Sequence, residues 1–177
     1  WARIVLAQLE IPVGAVVAAA LAAELRGARF VLNAAPADPL ADRDFAETVL
    51  PLCDPLVVNE HEAAFLLGRY GDRPGAEGPG GDPGALLRLG VRSAVVTMGE
   101  RGAVVAHSEG TVNVPGVPVR VVDTTGAGDA FTGALVWRLA LRPDLVDAVR
   151  WAVRAGAAAV RAYGAQSACP RVDDLPG

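Results

Sequence analysis

The clearest chemical signal in the sequence lies in the stretch VVDTTGAGDAFTGAL, residues 121–135. Gly126, Ala127 and Gly128 stand directly before the carboxylate of Asp129, and an apolar segment with helical spacing follows. Backbone N–H groups at the start of a helix bind anions, and glycine lets a ligand approach the backbone closely. A carboxylate beside a bound phosphate is unfavourable unless it takes a proton from an attacking hydroxyl, as in phosphoryl transfer. An ordinary acidic residue in a first helical turn explains this stretch equally well.

A second group of polar residues is NEHE, residues 59–62, which follows a strand-like run and opens a helical segment. Asn59 and Glu62 are three positions apart, so they share one face of that helix. The Glu62 carboxylate could hold Mg²⁺ directly or through water, since hard cations prefer oxygen ligands. A capping box, with Asn59 at the cap and Glu62 in the first turn, is at least as good an interpretation.

Two further stretches, TMGERG and QLEIP, carry weaker signals. TMGERG, residues 97–102, could cradle phosphate oxygens through Thr97 and the backbone beside Gly99 and Gly102. A simple hairpin turn explains it equally well. Glu10, in QLEIP, follows a strand that we expect to be buried, where an unpaired charge would be costly. A hydroxyl-bearing ligand would satisfy this charge, and so would a nearby arginine.

Strand-like and helical segments alternate along the chain, which predicts an α/β fold with a doubly wound, mainly parallel sheet flanked by helices. Ligands bind beyond the carboxyl ends of the strands in such sheets. Because the polar stretches lie where strands end, we expect one site at one edge, in a single domain of residues 1–177. The Gly- and Pro-rich residues 71–84 are predicted to be a surface loop. The expected strands are 3–9, 29–33, 55–59, 93–98, 103–108 and 111–115, and the expected helices are about 12–27, 41–50, 60–68, 127–140 and 144–162.

The composition argues against several classes of function. Hydrophobic residues make up 52% of the 177 residues, which allows a substantial core and excludes a disordered chain. The formal net charge is −4 and basic residues form no run, so neither a nucleic-acid partner nor a membrane surface is expected. The apolar residues 11–23 are too few to span a bilayer. Cys53 and Cys169 lack metal-like spacing and are expected to be reduced thiols of a cytoplasmic protein.

The motifs taken together resemble those of the PfkB family of carbohydrate kinases over almost the whole chain. The resemblance rests on QLEIP, LNAAPA, the Asn-x-x-Glu of NEHE, VTMGERG, DTTGAGDAFTGAL and GAQSACP. It implies ATP-dependent phosphorylation of the primary hydroxyl of a sugar. QLEIP and LNAAPA narrow the resemblance towards members that convert ribose to ribose 5-phosphate. The alternatives are another sugar, a sugar phosphate or a nucleoside as the substrate, or an inactive nucleotide-binding fragment.

The resemblance implies a catalytic role for the GAGD stretch. Asp129 would be the catalytic base and would contact the sugar, whose other hydroxyls Glu10 would bind. The backbone of Gly126, Ala127 and Gly128 would form the anion hole that stabilises the transferring phosphoryl group.

The resemblance also implies ATP, Mg²⁺ and K⁺ as cofactors. Asn59 and Glu62 would organise Mg²⁺ and the ATP phosphates. Thr97, Gly99 and Gly102 would line the nucleotide phosphates. A monovalent-cation loop, usually for K⁺, would use backbone carbonyls of Asp123, Thr125, Ala159, Ala162 and Gly164.

The chain departs from the family's pattern in three ways. It opens on WARIVLAQLE without an initiator Met. We therefore expect it to lack the family's N-terminal strands and its small β lid, which often forms a homodimer. Val153 stands where Asn is common near the adenine, and Ala168 stands where Ser usually offers a hydroxyl to the cation.

Overall fold

A six-stranded sheet organises the computed structural model, which describes residues 2–71 and 82–175. The strand order in the sheet follows the chain: β1 (Ile4–Gln8), β2 (Arg29–Asn33), β3 (Cys53–Asn59), β4 (Ala94–Thr97), β5 (Gly102–His107) and β6 (Gly110–Pro115). Strands β1 to β4 are parallel. Two residues join β5 to β6, and so short a connection requires antiparallel strands. The predicted α/β class with a mainly parallel sheet is confirmed.

The helices in the described residues lie close to the expected segments. They are α1 (Val13–Leu25), α2 (Arg43–Val49), α3 (Glu60–Tyr70), α4 (Ala127–Leu141) and α5 (Leu145–Ala159). Helix α2 is shorter than predicted because 3₁₀ turns with a proline in the first turn flank it, at Asp38–Ala41 and Leu50–Leu52. A further 3₁₀ segment, Pro83–Leu89, was not predicted. Most of the predicted loop at 71–84 lies outside the described residues.

Side-chain caps fix where three of these helices begin. The side chain of Asp42 accepts a hydrogen bond from the N–H of Phe45 at the start of α2. Asp144 accepts one from Asp147 at the start of α5, and Asn59 caps α3. These polar residues satisfy backbone N–H groups that have no partner inside the helix. The first turn of α4 is different, since its N-cap residue is Gly126, which offers no side chain.

The chain divides into two compact units, Trp1–Thr97 with Val104–Val112, and Met98–Ala103 with Asn113–Gly177. The expectation of a single domain over residues 1–177 stays a prediction. In the first unit the strands supply much of the core, as continuous apolar runs do in parallel sheets covered on both faces. The fully buried strand residues of this unit include Val31, Leu32, Leu56, Val58, Val95 and Val96.

The second unit is built largely on the packing of α4 against α5. The rings of Trp137 and Trp151 meet edge to face, with their centroids 5.9 Å apart. Arg138 Nε lies 2.6 Å from Asp147 Oδ2 and ties the two helices together. Buried residues of this helix pair include Phe131, Leu135, Ala148, Val149 and Ala152.

The sequence predicts that residues 11–23 do not span a membrane and that both cysteines are reduced thiols. Among the described residues, no helix combines the length and the apolar character that crossing a membrane requires. Cys53 is buried and Cys169 exposed, and both thiols are free. Burial raises the pKa of the Cys53 thiol, so this side chain packs as a small apolar group.

Candidate active site

Asn59, Glu62 and Thr97 lie together in the first unit. Asn59 and Thr97 end the adjacent parallel strands β3 and β4 and are register partners. The Glu62 N–H donates to Asn59 Oδ1 at 2.9 Å, and the Asn59 N–H donates to Glu62 Oε2 at 2.7 Å. The capping box is therefore present. It holds the Asn59 amide and the Glu62 carboxylate in one fixed arrangement at the carboxyl edge of the sheet.

The Glu62 carboxyl is half-buried, and its burial has an electrostatic consequence. Burial raises the pKa of Glu62, while the Asn59 N–H and the charge of His61 offset part of that rise. A divalent cation would stabilise the ionised form that burial disfavours. This half-buried carboxylate, with an amide oxygen beside it, fits a Mg²⁺ ligand set of hard oxygen atoms.

Glu10 and Asn33 lie near the carboxyl ends of β1 and β2. Glu10 is two residues beyond the end of β1 and is exposed. Its charge is therefore not buried and does not require a partner. Its proposed contact with a sugar stays a prediction. Asn33 ends β2 beside Gln8 of β1.

The start of α4 places the GAG backbone at a helix N-terminus in the second unit. Gly126 is left-handed, with φ of 77°, and a Cβ there would lie 2.8 Å from the Cα of Ala165. A Cβ on Gly128 would meet no atom within 4 Å. Among the described residues, the N–H groups of Gly128 and Asp129 donate to no protein acceptor. Open space and unpaired donors at Gly128 are the features that an anion needs.

Asp129 stands in the first turn of α4, and its side chain is exposed. A groove of about 190 Å³ opens beside it. Part of the lining is one face of α4, with small residues and Trp137 at the i, i+3, i+4 and i+7 spacing from Ala130. The residues that line the groove are Asp129, Ala130, Gly133, Ala134, Trp137, Ala155, Cys169, Pro170, Val172 and Leu175. Sequence reasoning did not anticipate this groove, because nothing in the pattern places the C-terminal residues beside α4.

The Asp123 side chain connects two segments that are far apart in the chain. Its Oδ1 accepts the N–H of Thr125 at 2.9 Å and the Thr125 hydroxyl at 2.7 Å. Its Oδ2 accepts the N–H of Gly164 at 2.9 Å. These hydrogen bonds, first that of Gly164 and then those of Thr125, lower the pKa of Asp123 to about 2. Sequence reasoning assigned only the Asp123 carbonyl and missed this side-chain role.

The residues proposed for a monovalent cation come from the same two segments. The N–H groups of Val122 and Asp123 both donate to the carbonyl of Val160, at 2.7 and 3.2 Å. This brings the loop that contains Asp123 and Thr125 beside the residues that follow Ala159. The Gly164 carbonyl already accepts the N–H of Ala168 at 3.2 Å.

The sequence offers the hydroxyl of Ser167 beside Ala168, and as a donor it keeps its oxygen lone pairs. It donates to the carbonyl of Tyr163 at 2.7 Å. In the described part of the chain, no group of three or more His, Cys, Asp or Glu side chains could hold a metal ion. A monovalent cation at this loop would therefore depend on backbone carbonyls and on hydroxyl oxygens.

Gly99 and Gly102 shape the turn before β5. Both have positive φ, 57° and 94°, and the Met98 N–H donates to the Gly102 carbonyl at 2.8 Å. A Cβ on Gly102 would clash with the Val114 carbonyl oxygen, whereas one on Gly99 would meet nothing within 4 Å. The fold thus requires glycine at 102 for close packing. The open backbone at Gly99 is the part of this turn that a phosphate could approach.

Comparisons with known proteins agree with this arrangement of motifs. The model of the pfkB family carbohydrate kinases matches residues 2–172. Ribokinase of Schizosaccharomyces pombe is 36% identical over 178 residues, which cover 99% of this chain and 54% of that protein.

Solved structures of such kinases share the fold. Arabidopsis thaliana ribokinase complexed with ribose and ATP matches with a TM-score of 0.80 and 28% identity, over 94% of this chain and 52% of that one. A putative ribokinase II from E. coli in complex with ATP and Mg²⁺ matches with a TM-score of 0.76 and 27% identity, over 96% and 56%. The chain thus spans about half the length of these relatives. Because the family model covers nearly all of it, the chain belongs to the pfkB family of carbohydrate kinases.

Proposed function

We propose that the protein carrying this chain transfers the γ-phosphoryl group of ATP to the primary hydroxyl of a sugar, and that the sugar is ribose. The observation that carries the proposal is the start of α4. There the exposed carboxylate of Asp129 adjoins the open backbone of Gly128, whose N–H donates to no acceptor in the described part of the chain. A base and an anion site at adjacent positions are what a hydroxyl and a phosphoryl group require of a catalyst.

In this proposal Asp129 acts as the general base. Its carboxylate takes the proton of the sugar hydroxyl as that oxygen bonds to the γ-phosphorus, and the bond from phosphorus to the bridging oxygen of ADP breaks. The N–H groups at the start of α4 stabilise the negative charge of the transferring group. A positioned base contributes about 10²–10⁴ in rate.

The proposed nucleotide site uses Asn59 and Glu62 for Mg²⁺ and the phosphates, with Thr97, Gly99 and Gly102 beside the phosphate chain. The half-buried Glu62 carboxylate and the open backbone of Gly99 support this assignment. When bound, Mg²⁺ would neutralise phosphate charge. The E. coli relative in complex with ATP and Mg²⁺ supports both cofactors.

K⁺ is the proposed monovalent cation, held by backbone carbonyls of the residues Asp123, Thr125, Ala159, Ala162 and Gly164. The proximity of the two loops that contain them supports this. Bound there, the ion would add positive charge near the start of α4.

Ribose is favoured over other substrates by QLEIP and LNAAPA and by the ribokinases among the relatives. Glu10, exposed beyond β1, is the proposed ligand of the sugar hydroxyls. Another sugar, a sugar phosphate or a nucleoside remains the alternative substrate. A substrate panel assayed with K⁺ and with Na⁺ separates these alternatives and tests the cation.

The test of the proposed function is Asp129→Asn in the protein as its own gene encodes it. We expect kcat for ribose phosphorylation to fall by at least about 10²-fold, because the amide cannot accept the proton. The affinity for Mg·ATP, measured by calorimetry, should stay within about threefold, since Asn keeps the shape of the side chain. The matched control is Asp44→Asn, an exposed acidic residue in the first turn of α2, which should leave kcat unchanged. Undiminished turnover in Asp129→Asn would overturn the assignment of the base.

A further inference from the structure

The Asp123 carboxylate accepts three hydrogen bonds, two within the loop before α4 and one from the turn after α5. One oxygen accepts two bonds from Thr125, and the other accepts the N–H of Gly164, 41 positions along the chain. The carboxylate thus links Thr125 to Gly164. Hydrogen bonds to an ionised acceptor are roughly twice as strong as those between neutral groups.

Two further contacts hold the same segments together. The Val160 carbonyl accepts the N–H groups of Val122 and Asp123. At the other end of the loop, the left-handed Gly126 lies so close to Ala165 that a Cβ would be 2.9 Å from the Ala165 Cβ. The loop is therefore fixed at 122–123 and at 126, and the Asp123 carboxylate fixes Thr125 between these points.

The position of this loop determines where α4 begins. Gly126 is the N-cap, and the N–H groups of Gly128 and Asp129 follow within one turn. A displacement of the loop would displace these N–H groups and the Asp129 carboxylate together. A misplacement of 1 Å at reacting groups can cost about 10² in rate.

We propose that the Asp123 carboxylate is a positioning residue, which holds the first turn of α4 in the geometry needed for phosphoryl transfer by clamping Thr125 to Gly164. The inference rests on the proposed function, and it concerns the side chain rather than the carbonyl assigned to K⁺. An Asn at position 123 would retain one acceptor oxygen. Its NH₂ group would face an N–H or O–H donor, so at least one side of the clamp would open.

The test compares Asp123→Asn with Asp147→Asn in the gene-encoded protein. Asp147 is a matched control because its carboxylate also joins two elements of this unit, α4 and α5, through Arg138, but away from the start of α4. Both changes should lower the melting temperature. Only Asp123→Asn should lower kcat, by at least about tenfold, with KM for ATP and ribose within about threefold. It should also speed amide hydrogen exchange in residues 124–130 and 161–167 together.

Three results would overturn the clamp. The first is a loss of kcat in both variants in proportion to the loss of melting temperature, which describes a merely structural role. The second is restoration of kcat in Asp123→Asn by excess K⁺, which assigns the carboxylate to the cation. The third is unchanged exchange in both segments. Exchange needs no turnover, so it decides the clamp even if the wild-type protein phosphorylates no sugar and the proposed function fails.

Discussion

Gly126 and Gly128 stand two residues apart, and the structure gives them different reasons to be glycine. Gly126 has a left-handed backbone and packs against Ala165, so the fold itself demands it. Gly128 is helical, and a Cβ there would meet only open space. Glycine in a helix costs about 0.5–1 kcal/mol relative to alanine. The fold does not explain that cost, whereas the proposed approach of a phosphoryl group to Gly128 would explain it.

Gly128→Ala should therefore raise stability and lower activity. We expect the free energy of unfolding in urea to rise by about 0.5–1 kcal/mol, since alanine favours the helix and meets no neighbour. The kcat for ribose should fall, on the order of 10²-fold, because the methyl group occupies the space of the phosphoryl group. Unchanged turnover in a stabilised variant would show that nothing approaches Gly128.

The control for this pair of effects is Gly126→Ala, whose stability should change in the opposite direction. A left-handed backbone costs a non-glycine residue about 1–3 kcal/mol, and the contact with Ala165 adds to this. If Gly126→Ala proved as stable as the wild type, the left-handed start of α4 would be wrong.

At the scale of elements, most of the fold could be predicted from the sequence. The strand at Arg29–Asn33 was placed without error, and α4 was placed to within one residue at its carboxyl end. The reason is that apolar periodicity and glycine or proline punctuation act locally. The Pro83–Leu89 segment was missed because a short 3₁₀ run has no distinct apolar periodicity. Its one local signal is the cap by Asp82.

The candidate site could be predicted only in part, for the same physical reason. Asn59, Glu62 and Asp129 stand in local motifs, so their places at helix starts followed from spacing alone. The hydrogen bond from Gly164 to Asp123 and the groove beside Trp137 depend on contacts between distant segments. Neither the Asp123 side chain nor the residues 169–175 carried a local signal for those contacts.

The first turn of α3 yields a prediction about pH. Burial raises the folded-state pKa of Glu62 above 4.5. Below 4.5 both states hold the proton, so the charge has no effect. As the pH rises through 4.5 the unfolded chain releases the proton first, and the stability of the wild type falls until the folded pKa is reached.

Glu62→Gln keeps the capping box and removes this ionisation, since glutamine can also accept the Asn59 N–H. The stability of the variant relative to the wild type should therefore rise with pH above 4.5 and then level off. Urea unfolding of both proteins from pH 4 to 8 measures this difference. The pH dependence due to Asp123 cancels because both proteins contain it. A difference that stays constant across this range would contradict the burial of the Glu62 charge.

At the scale of the whole molecule, the chain combines a nearly complete family match with half of the relatives' length. The proposed base, anion hole and cation residues all lie within residues 59–164. Glu10 is the one residue outside GAGD that the motifs assign to the sugar. Substrate choice depends on a few precisely placed polar groups that act together, and a single exposed carboxylate is only one such group.

Residues 1–177 alone should therefore still bind Mg·ATP, but they should phosphorylate ribose poorly. Calorimetry should detect nucleotide binding that Glu62→Gln weakens, because the proposed phosphate and Mg²⁺ contacts lie within this segment. Turnover should be at least about 10²-fold below that of S. pombe ribokinase in the same assay, since a loosely held sugar forfeits the gain from orientation. Turnover equal to that of the yeast enzyme would show that these residues hold a complete sugar site. Absence of Mg·ATP binding would instead contradict the nucleotide assignments themselves.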